Sequence, residues 1–520
     1  MIYRIFMVVL LAGFLFGETS LPHGLTEWEA ENFHLIYEQS RETDPPTAPV
    51  RNIAEFERMQ GVLIRYPFGI STSIIREMAE DVIIYCLVSS SSQSSAYNSM
   101  NNAGVNMNNV EFVLGSTDSY WTRDYGPWWV VDGNREVGVV DFTYNRPRPN
   151  DNQAPSKMSN HLNVPYFATS VVHAGGNYMA DGLGIAASST LVYEENSMSD
   201  AQVNQNMLDY YGIETYHVVQ DPNNTYIDHI DCWGKYLSPH KVLIREVASS
   251  HAQYDEIEAT ADYFANTLTS YGELWEVVRV YTPNNQPYTN SLILNDKVLV
   301  PITGSSWDDD ALAVYQEAMP GYEVLGFTGS WESTDALHCR AKGIPDLGML
   351  QIFHNPLNDT DQSQSSYSVN CIIDDLSEAG LIDNELAIFW RVSGNENWTE
   401  SPLEPQDCLD CYGGFINYTG SSADLEYFIQ ASDNSGRTEQ LPFAGYYSFS
   451  VAGGNPCDGW ILMDLNNDLI INVIDVVQTV NIIIGQMEPT ECQFWAADNN
   501  SDGVVNVLDI VTLVNTIIGN

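Results

Sequence analysis

Basic side chains are scarce in this chain. It has 20 Lys and Arg against 69 Asp and Glu, a formal net charge of −49 over 520 residues. Such a chain repels nucleic-acid phosphates and anionic membrane surfaces, and it suits cationic substrates or calcium better. The charge alone is equally compatible with salt adaptation or plain solubility. Cysteine is thin as well: 8 residues exclude a disulfide-built scaffold, although an exported chain can still form individual bridges. No stretch reaches the about 18 uninterrupted apolar residues of a membrane-crossing helix, so a soluble mature protein is expected. Apolar side chains are not lacking. At 44% hydrophobic and 11% aromatic the chain can bury several cores, which excludes wholesale disorder, and its length suggests roughly three or four domains.

The N-terminus places Arg4 before an apolar run from Ile5 to Phe16 and then Gly17-Glu-Thr-Ser. A basic start, a short apolar stretch and small or polar residues are the layout of a secretory signal, assigned to residues 1–17. Residues 18–50 are polar, contain Asp44-Pro-Pro46, and read as a leader or flexible segment. From 51 to 346 strand and helix patterns alternate. Gly61–Tyr66 and Val82–Val88 are strand-like, Ser71–Asp81 has helical spacing after a Ser/Thr start, and Leu294-Asn-Asp-Lys-Val298 signals a hairpin. Alternation recurs at 202–218, 252–280 and 307–326, which argues an α/β domain. Residues 347–452 change texture to short strands with polar or Gly-rich turns, among them 387–392, 425–430 and 446–451, and favour an immunoglobulin-like β-sandwich. Residues 453–456 read as a linker before a repeat-bearing segment, 457–520.

Four stretches carry chemistry: Trp121-Thr-Arg-Asp124-Tyr-Gly-Pro127, His229-Ile-Asp231-Cys-Trp-Gly-Lys235, Asn290-Ser-Leu-Ile-Leu294 and Ser333-Thr-Asp-Ala-Leu-His-Cys339-Arg340. If 229–231 is extended, His229 and Asp231 point to one side and pair a base with a carboxylate. Ser333, Thr334 and Asp335 suit a helix cap, and a Cys339 thiol in the first turn would have its pKa lowered by the helix dipole. A thiolate, a His and two carboxylates form a kit for attacking a cationic carbon. Taken singly, each residue has a bland account: a buried small Cys, a satisfied structural His, an Asp capping a turn.

Together the stretches resemble the bacterial peptidylarginine deiminase and agmatine deiminase family of guanidino-group-modifying enzymes, over about residues 51–345. The resemblance implies a five-bladed α/β propeller (pentein) as the catalytic domain. It makes Cys339 the nucleophile on the guanidinium carbon, His229 the acid and base, and Asp124 and Asp231 the clamp on the guanidinium nitrogens. Asn290 supports the site, and Gly175-Gly-Asn-Tyr178 positions backbone. Trp121, Tyr226, Arg146 and Arg148 are assigned to substrate binding. The last two stand in Tyr144-Asn-Arg-Pro-Arg-Pro-Asn150, which on composition alone reads as a solvated loop but matches the segment that binds the substrate carboxylate in the secreted peptidylarginine deiminases. The implied activity is hydrolysis of peptidyl-arginine, preferably C-terminal, to citrulline and ammonia, with no cofactor needed for catalysis. Agmatine deimination is the alternative. A thiol protease is a second one, disfavoured because two carboxylates beside the thiol oppose an oxyanion.

Near the C-terminus, Asp464, Asn466, Asp468, Asn472 and Asp475 are repeated as Asp498, Asn500, Asp502, Asn506 and Asp509. Oxygen side chains at loop positions 1, 3, 5, 9 and 12 are the arrangement of a calcium-binding EF-hand loop. Each loop precedes an apolar helical run, 476–484 and 510–518, with no helix expected before the loop. This loop–helix pair resembles a type I dockerin, a small all-α module, which implies structural Ca2+ and attachment to a cohesin-bearing scaffold. Leu469 replaces the usual Gly at position six, and Val473, Ile474, Val507 and Leu508 are apolar where cohesin contacts are common. Cys457 and Cys492 are expected to pair, while the pairing of Cys371, Cys408 and Cys411 is left open. The expected location is extracellular or cell-surface attached, with arginine-containing peptides or proteins as partners and no nucleic acid.

Overall fold

The structure, a computed structural model, describes residues 20–360, 364, 366–420, 422–451, 457, 460–500 and 503–518. The signal assignment (1–17), the linker (453–456) and Asp502 lie outside the described residues. The chain divides into two compact units. The first is Met1–Gln351 with Asp374–Leu381 and Ser432–Gly445; the second is Ile352–Ile373, Ile382–Ala431 and Tyr446–Asn520.

The first unit is mixed α/β and is built from five sheets of three or four strands. Gly234–Ser238 pairs antiparallel with Lys241–Glu246, the helix Tyr254–Ala265 crosses over, and Glu276–Tyr281 returns parallel. Leu292–Leu294, Lys297–Ile302, the helix Asp308–Ala318 and Glu323–Thr328 repeat the pattern. Parallel return strands require such a crossover. The turn between the first two strands of this second repeat has Asn295 at φ 56°, a left-handed conformation that Asn tolerates. Local sequence explains the helices. Ser71 accepts the Ile74 amide and starts Thr72–Asp81, whose Ile74, Ile75, Met78 and Ala79 turn one buried stripe to the core. One sheet joins the two ends of this region: Lys342–Pro345 pairs antiparallel with Met59–Arg65, next to Ile83–Val88.

A short turn leads into one strand of each of these five sheets. These turns are Thr122–Tyr125 before Trp128–Val131, Gly175–Asn177 before Met179–Ala180, Ile230–Cys232 before Gly234–Ser238, Asn290 before Leu292–Leu294, and His338–Arg340 before Lys342–Pro345. Each carries a residue of the expected site. The repeat therefore delivers five such turns in equivalent positions.

Residues 18–50 are not a flexible leader in their described part. Thr26 and Glu29 cap Glu27–Glu31 reciprocally, the 3-10 turn Phe33–Glu38 follows, and Ile36 is fully buried. The boundary at 346 also differs, since 374–381 and 432–445 belong to the first unit. There Arg437 makes a bidentate pair with Asp346 at 2.7 Å, and Arg58 pairs with Glu439 at 2.8 Å.

The second unit contains a β-rich part. Tyr367–Asp375, Cys411–Ile416 and Glu404–Pro405 form one antiparallel sheet; Thr399–Pro402, Ala387–Val392, Ala423–Ser432 and Tyr447–Val451 form another. Burial alternates along Tyr367–Asp375, as a strand with one solvated face requires. Cys408 and Cys411 are bridged and Cys371 is a free buried thiol. The C-terminal part has helices Val473–Ile483, Glu491–Ala497 and Val507–Ile518, and a Cys457–Cys492 bridge. A helix does precede the second loop, contrary to the sequence expectation: Thr490 and Gln493 form a capping box at its start.

Candidate active site

The turns converge on a buried cluster of thiol, imidazoles and carboxylates. Cys339 is fully buried and its Sγ lies 3.5 Å from Asp231 Oδ2. Asn290 brackets the cysteine: its Nδ2 donates to Sγ at 3.2 Å, and its Oδ1 accepts the Cys339 amide at 3.3 Å. His229 Nδ1 stands 3.5 Å from Asp124 Oδ1. Gly176 makes the close approach feasible. A Cβ there would sit 2.7 Å from both Asp124 Oδ1 and His229 Nδ1.

Two local expectations are corrected. Residues 229–231 are not a strand; Ile230–Cys232 is a 3-10 turn following an extended His229, so the shared direction of His229 and Asp231 comes from the turn rather than from strand alternation. Cys339 does not open an α-helix either. It sits in the three-residue 3-10 turn His338–Arg340, too short to supply a dipole. Its thiol is pushed well above the usual value, by burial first and then by Asp231, Asp335 and Asp124.

The electrostatics divide the two carboxylates expected to clamp the substrate. Burial raises Asp124 to about 6, opposed by His229 and reinforced by Asp231. Asp231 is held at about 2: burial pushes it up, but the His338 hydrogen bond and charge, helped by His229 and Lys235, outweigh that. Burial lowers His229 to about 4, so its imidazole is neutral near pH 7. Behind Asp231 runs a chain the sequence reading did not single out. His338 Nδ1 meets Asp231 at 2.7 Å, its Nε2 meets Glu55 at 2.6 Å, and Glu55 pairs with Lys235 at 2.7 Å and Arg123 at 2.6 Å. His338, Arg123 and Lys235 lie inside the quoted motifs; nothing in the sequence marked Glu55.

The residues expected on the substrate side are also placed, and the leader is on them. Arg146 and Arg148 are buried rather than solvated. Arg148 grips the Glu29 carboxylate with Nε at 2.7 Å and Nη2 at 3.2 Å, and donates to the Pro22 and Gly24 carbonyls. Arg146 Nε donates to the His23 carbonyl at 3.4 Å. The His23 ring stacks on buried Trp121 at 4.7 Å and its Nε2 meets Asp124 Oδ2 at 2.7 Å. Tyr226 is 63% exposed and close to Gly24, where a Cβ would lie 3.0 Å from its ring.

Such a site suits a cation attacked by sulfur, and fold and site together define a deiminase acting on a guanidino group. The model of the Porphyromonas-type peptidyl-arginine deiminase family matches residues 53–345, more than half of the chain, and the chain belongs to that family. A relative named agmatine deiminase from Medicago truncatula is 24% identical over 297 residues, covering 46% of this chain and 79% of its own. A Mycoplasma capricolum protein provisionally named agmatine deiminase is 26% identical over 261 residues, 42% of this chain and 71% of its own. Among solved structures, the agmatine deiminase of Enterococcus faecalis superposes with a TM-score of 0.52 at 18% identity, covering 59% of this chain and 99% of its own. That likeness speaks to the pentein-like α/β fold alone.

Proposed function

We propose that this protein is an exported peptidyl-arginine deiminase that prefers arginine at a peptide C-terminus. Cys339 held beside Asp231 and Asn290 supports the chemistry. The guanidinium enters between Asp124 and Asp231, which orient it by charge-assisted hydrogen bonds. Its positive charge offsets the carboxylates that hold the thiol protonated, and the thiol proton passes to neutral His229. The sulfur bonds to the guanidinium carbon, and His229 returns the proton to the departing nitrogen, which leaves as ammonia. Water then adds to the amidino-thioether with His229 taking one proton, and the carbon–sulfur bond breaks as the adduct's hydroxyl proton passes to the departing sulfur, giving citrulline and the free thiol; His229 then releases its proton to solvent. Asn290, Asp231 and His338 position these groups.

The single observation that carries the peptide preference is the pair of buried guanidinium groups at the mouth, Arg148 on a carboxylate and Arg146 on a peptide carbonyl. A C-terminal arginine offers a carboxylate and a carbonyl there, whereas agmatine offers an ammonium that two arginines repel. Agmatine deimination is the second reading, favoured by the names of the relatives. Comparing citrulline formation from a C-terminal arginine peptide with deimination of agmatine tests it. In enzyme freed of residues 20–38, Arg148→Ala is expected to lower kcat/KM for the peptide by roughly tenfold to a hundredfold, the weight of one charge-assisted contact, and to leave agmatine turnover unchanged. An enzyme freed of residues 20–38 that prefers agmatine overturns the preference.

We read the C-terminal part as a dockerin-like attachment module and the β-rich part as an immunoglobulin-like spacer. Asp464, Asp475 and Asp509 are fully buried, and no Lys, Arg or His follows Arg437 in the chain. Buried carboxylates without a cationic side chain suit a bound cation, and the oxygen-only donor set suits calcium. Asp464, Asn466, Asp468, Asn472 and Asp475 would hold one ion, and Asp498, Asn500, Asp502, Asn506 and Asp509 a second. Val473, Ile474, Val507 and Leu508 are 50–67% exposed, an apolar surface suited to a cohesin-type scaffold. Calcium-dependent retention on an immobilised cohesin, abolished by chelator, is the expected result.

A further inference from the structure

We propose that residues 20–38 are a built-in pseudosubstrate: His23 and Glu29 occupy the guanidinium and carboxylate subsites, and the chain is latent until this segment is released. The inference rests on the deiminase reading and deepens it. Asp124, Trp121, Arg146 and Arg148, all assigned to substrate recognition, each have a partner in the leader. The His23 imidazole, a flat nitrogen ring, stacks on Trp121 and bonds Asp124 at 2.7 Å, where a guanidinium belongs. The Glu29 carboxylate takes the fork of Arg148, where a terminal carboxylate belongs. The His23 carbonyl takes Arg146, as a peptide carbonyl would.

The segment is built to hold this pose. Glu29 Oε2 also accepts the Thr26 amide at 2.7 Å and the Glu29 amide meets Thr26 Oγ1, so the capping box that forms the helix also aims the carboxylate. Leu21 donates to the Asp118 carbonyl, Ile36 is fully buried, and Gln39 Nε2 donates to the Arg146 carbonyl. After it, Arg41 to Pro49 are exposed except for Pro46, a strap a protease can reach while the inhibitory part stays folded. Because the plug covers Asp124 and the arginines, it competes with substrate and leaves the chemistry of Cys339 intact.

The test uses the full chain in three forms: wild type, His23→Ala/Glu29→Gln, and a form with a specific protease site built into 42–47, cut and then dialysed. Cys339 alkylation by iodoacetamide, read by peptide mass spectrometry, reports access independently of turnover. The double variant and the cut protein are expected to label Cys339 at least tenfold faster than wild type and to show at least tenfold higher kcat/KM on a C-terminal arginine peptide. A synthetic peptide of residues 20–40 is expected to restore slow labelling of the cut protein. Equal labelling rates in all three forms, or wild-type turnover equal to that of the cut protein, overturn the plug. Faster labelling without citrulline from any arginine compound leaves the plug standing as an occupant of the cleft and overturns the deiminase reading instead.

Discussion

At the scale of single residues, the site places ionised groups where burial opposes them, and that opposition is measurable. Asp124 has an ordinary pKa of 3.8 and reaches about 6 in the fold, chiefly through burial. A carboxyl whose folded pKa is raised favours the folded state when protonated. Its contribution is therefore lost as pH climbs from about 3.8 through about 6, and above that the ionised group costs on the order of 2–3 kcal/mol. Asp124→Asn removes the cost. The variant is expected to resist urea better than wild type at pH 8, with the difference vanishing near pH 3.5, and to lose citrulline formation. Equal midpoints at pH 8 would mean that neighbouring groups stabilise the carboxylate as much as burial destabilises it. Asp231 is opposite in sign. Held at about 2 by His338, His229 and Lys235 against burial, it contributes stability present above about 4 and lost as pH falls toward 2.

At the scale of elements, the site is a property of short turns, and short turns are what sequence patterns describe least well. Periodicity locates the crossovers. The expected helix at 71–81 forms as Thr72–Asp81 after its Ser71 cap, the strand at 82–88 forms as Ile83–Val88, and the 294–298 hairpin is in place. His229–Asp231 and Ser333–Cys339 have no period to read, because 3-10 turns of three residues are fixed by what packs around them; the motifs identify the residues without their local conformation. The leader escapes for another reason. Its polar composition reads as a solvated arm, yet its charges and polar groups are met inside the cleft by Arg146, Arg148 and Asp124, partners distant in the chain.

Two substitutions test how closely the turns are built. Gly176→Ala places a methyl 2.7 Å from Asp124 Oδ1 and His229 Nδ1. Circular dichroism is expected to stay unchanged while kcat/KM of the leader-released enzyme falls about a hundredfold, the scale of a 1 Å misplacement. In the first C-terminal loop Leu469 adopts φ 66°, where its counterpart Gly503 has φ 80°. A non-glycine residue there costs about 1–2 kcal/mol, so Leu469→Gly is expected to raise calcium affinity several-fold by calorimetry. An unchanged affinity would show that the strain is relieved elsewhere in the loop.

At the scale of the whole molecule, the catalytic unit does not stop where its family motifs stop. Residues 374–381 and 432–445 belong to it, and with them come packing and charge. Leu376 joins the core around Val131 and Met349, Phe443 packs near Phe56, Arg437 forks Asp346, and Glu439 takes Arg58. The ion pairs are partly exposed and count for about 1 kcal/mol or less each; buried Leu376 adds about 1.5–3 kcal/mol, and half-buried Phe443 adds less. A chain ending at 346 is therefore expected to unfold on the order of 3–6 kcal/mol more easily than one ending at 451, and urea unfolding followed by tryptophan fluorescence measures the difference. The chain ending at 451 lacks both acidic loops, so its turnover after leader release is expected to be the same in chelator as in calcium. The full chain is expected to gain a calcium-dependent unfolding transition assigned to residues 457–520. Loss of turnover by the 451 chain in chelator would place a metal in the catalytic unit and end the separation of its chemistry from the C-terminal loops.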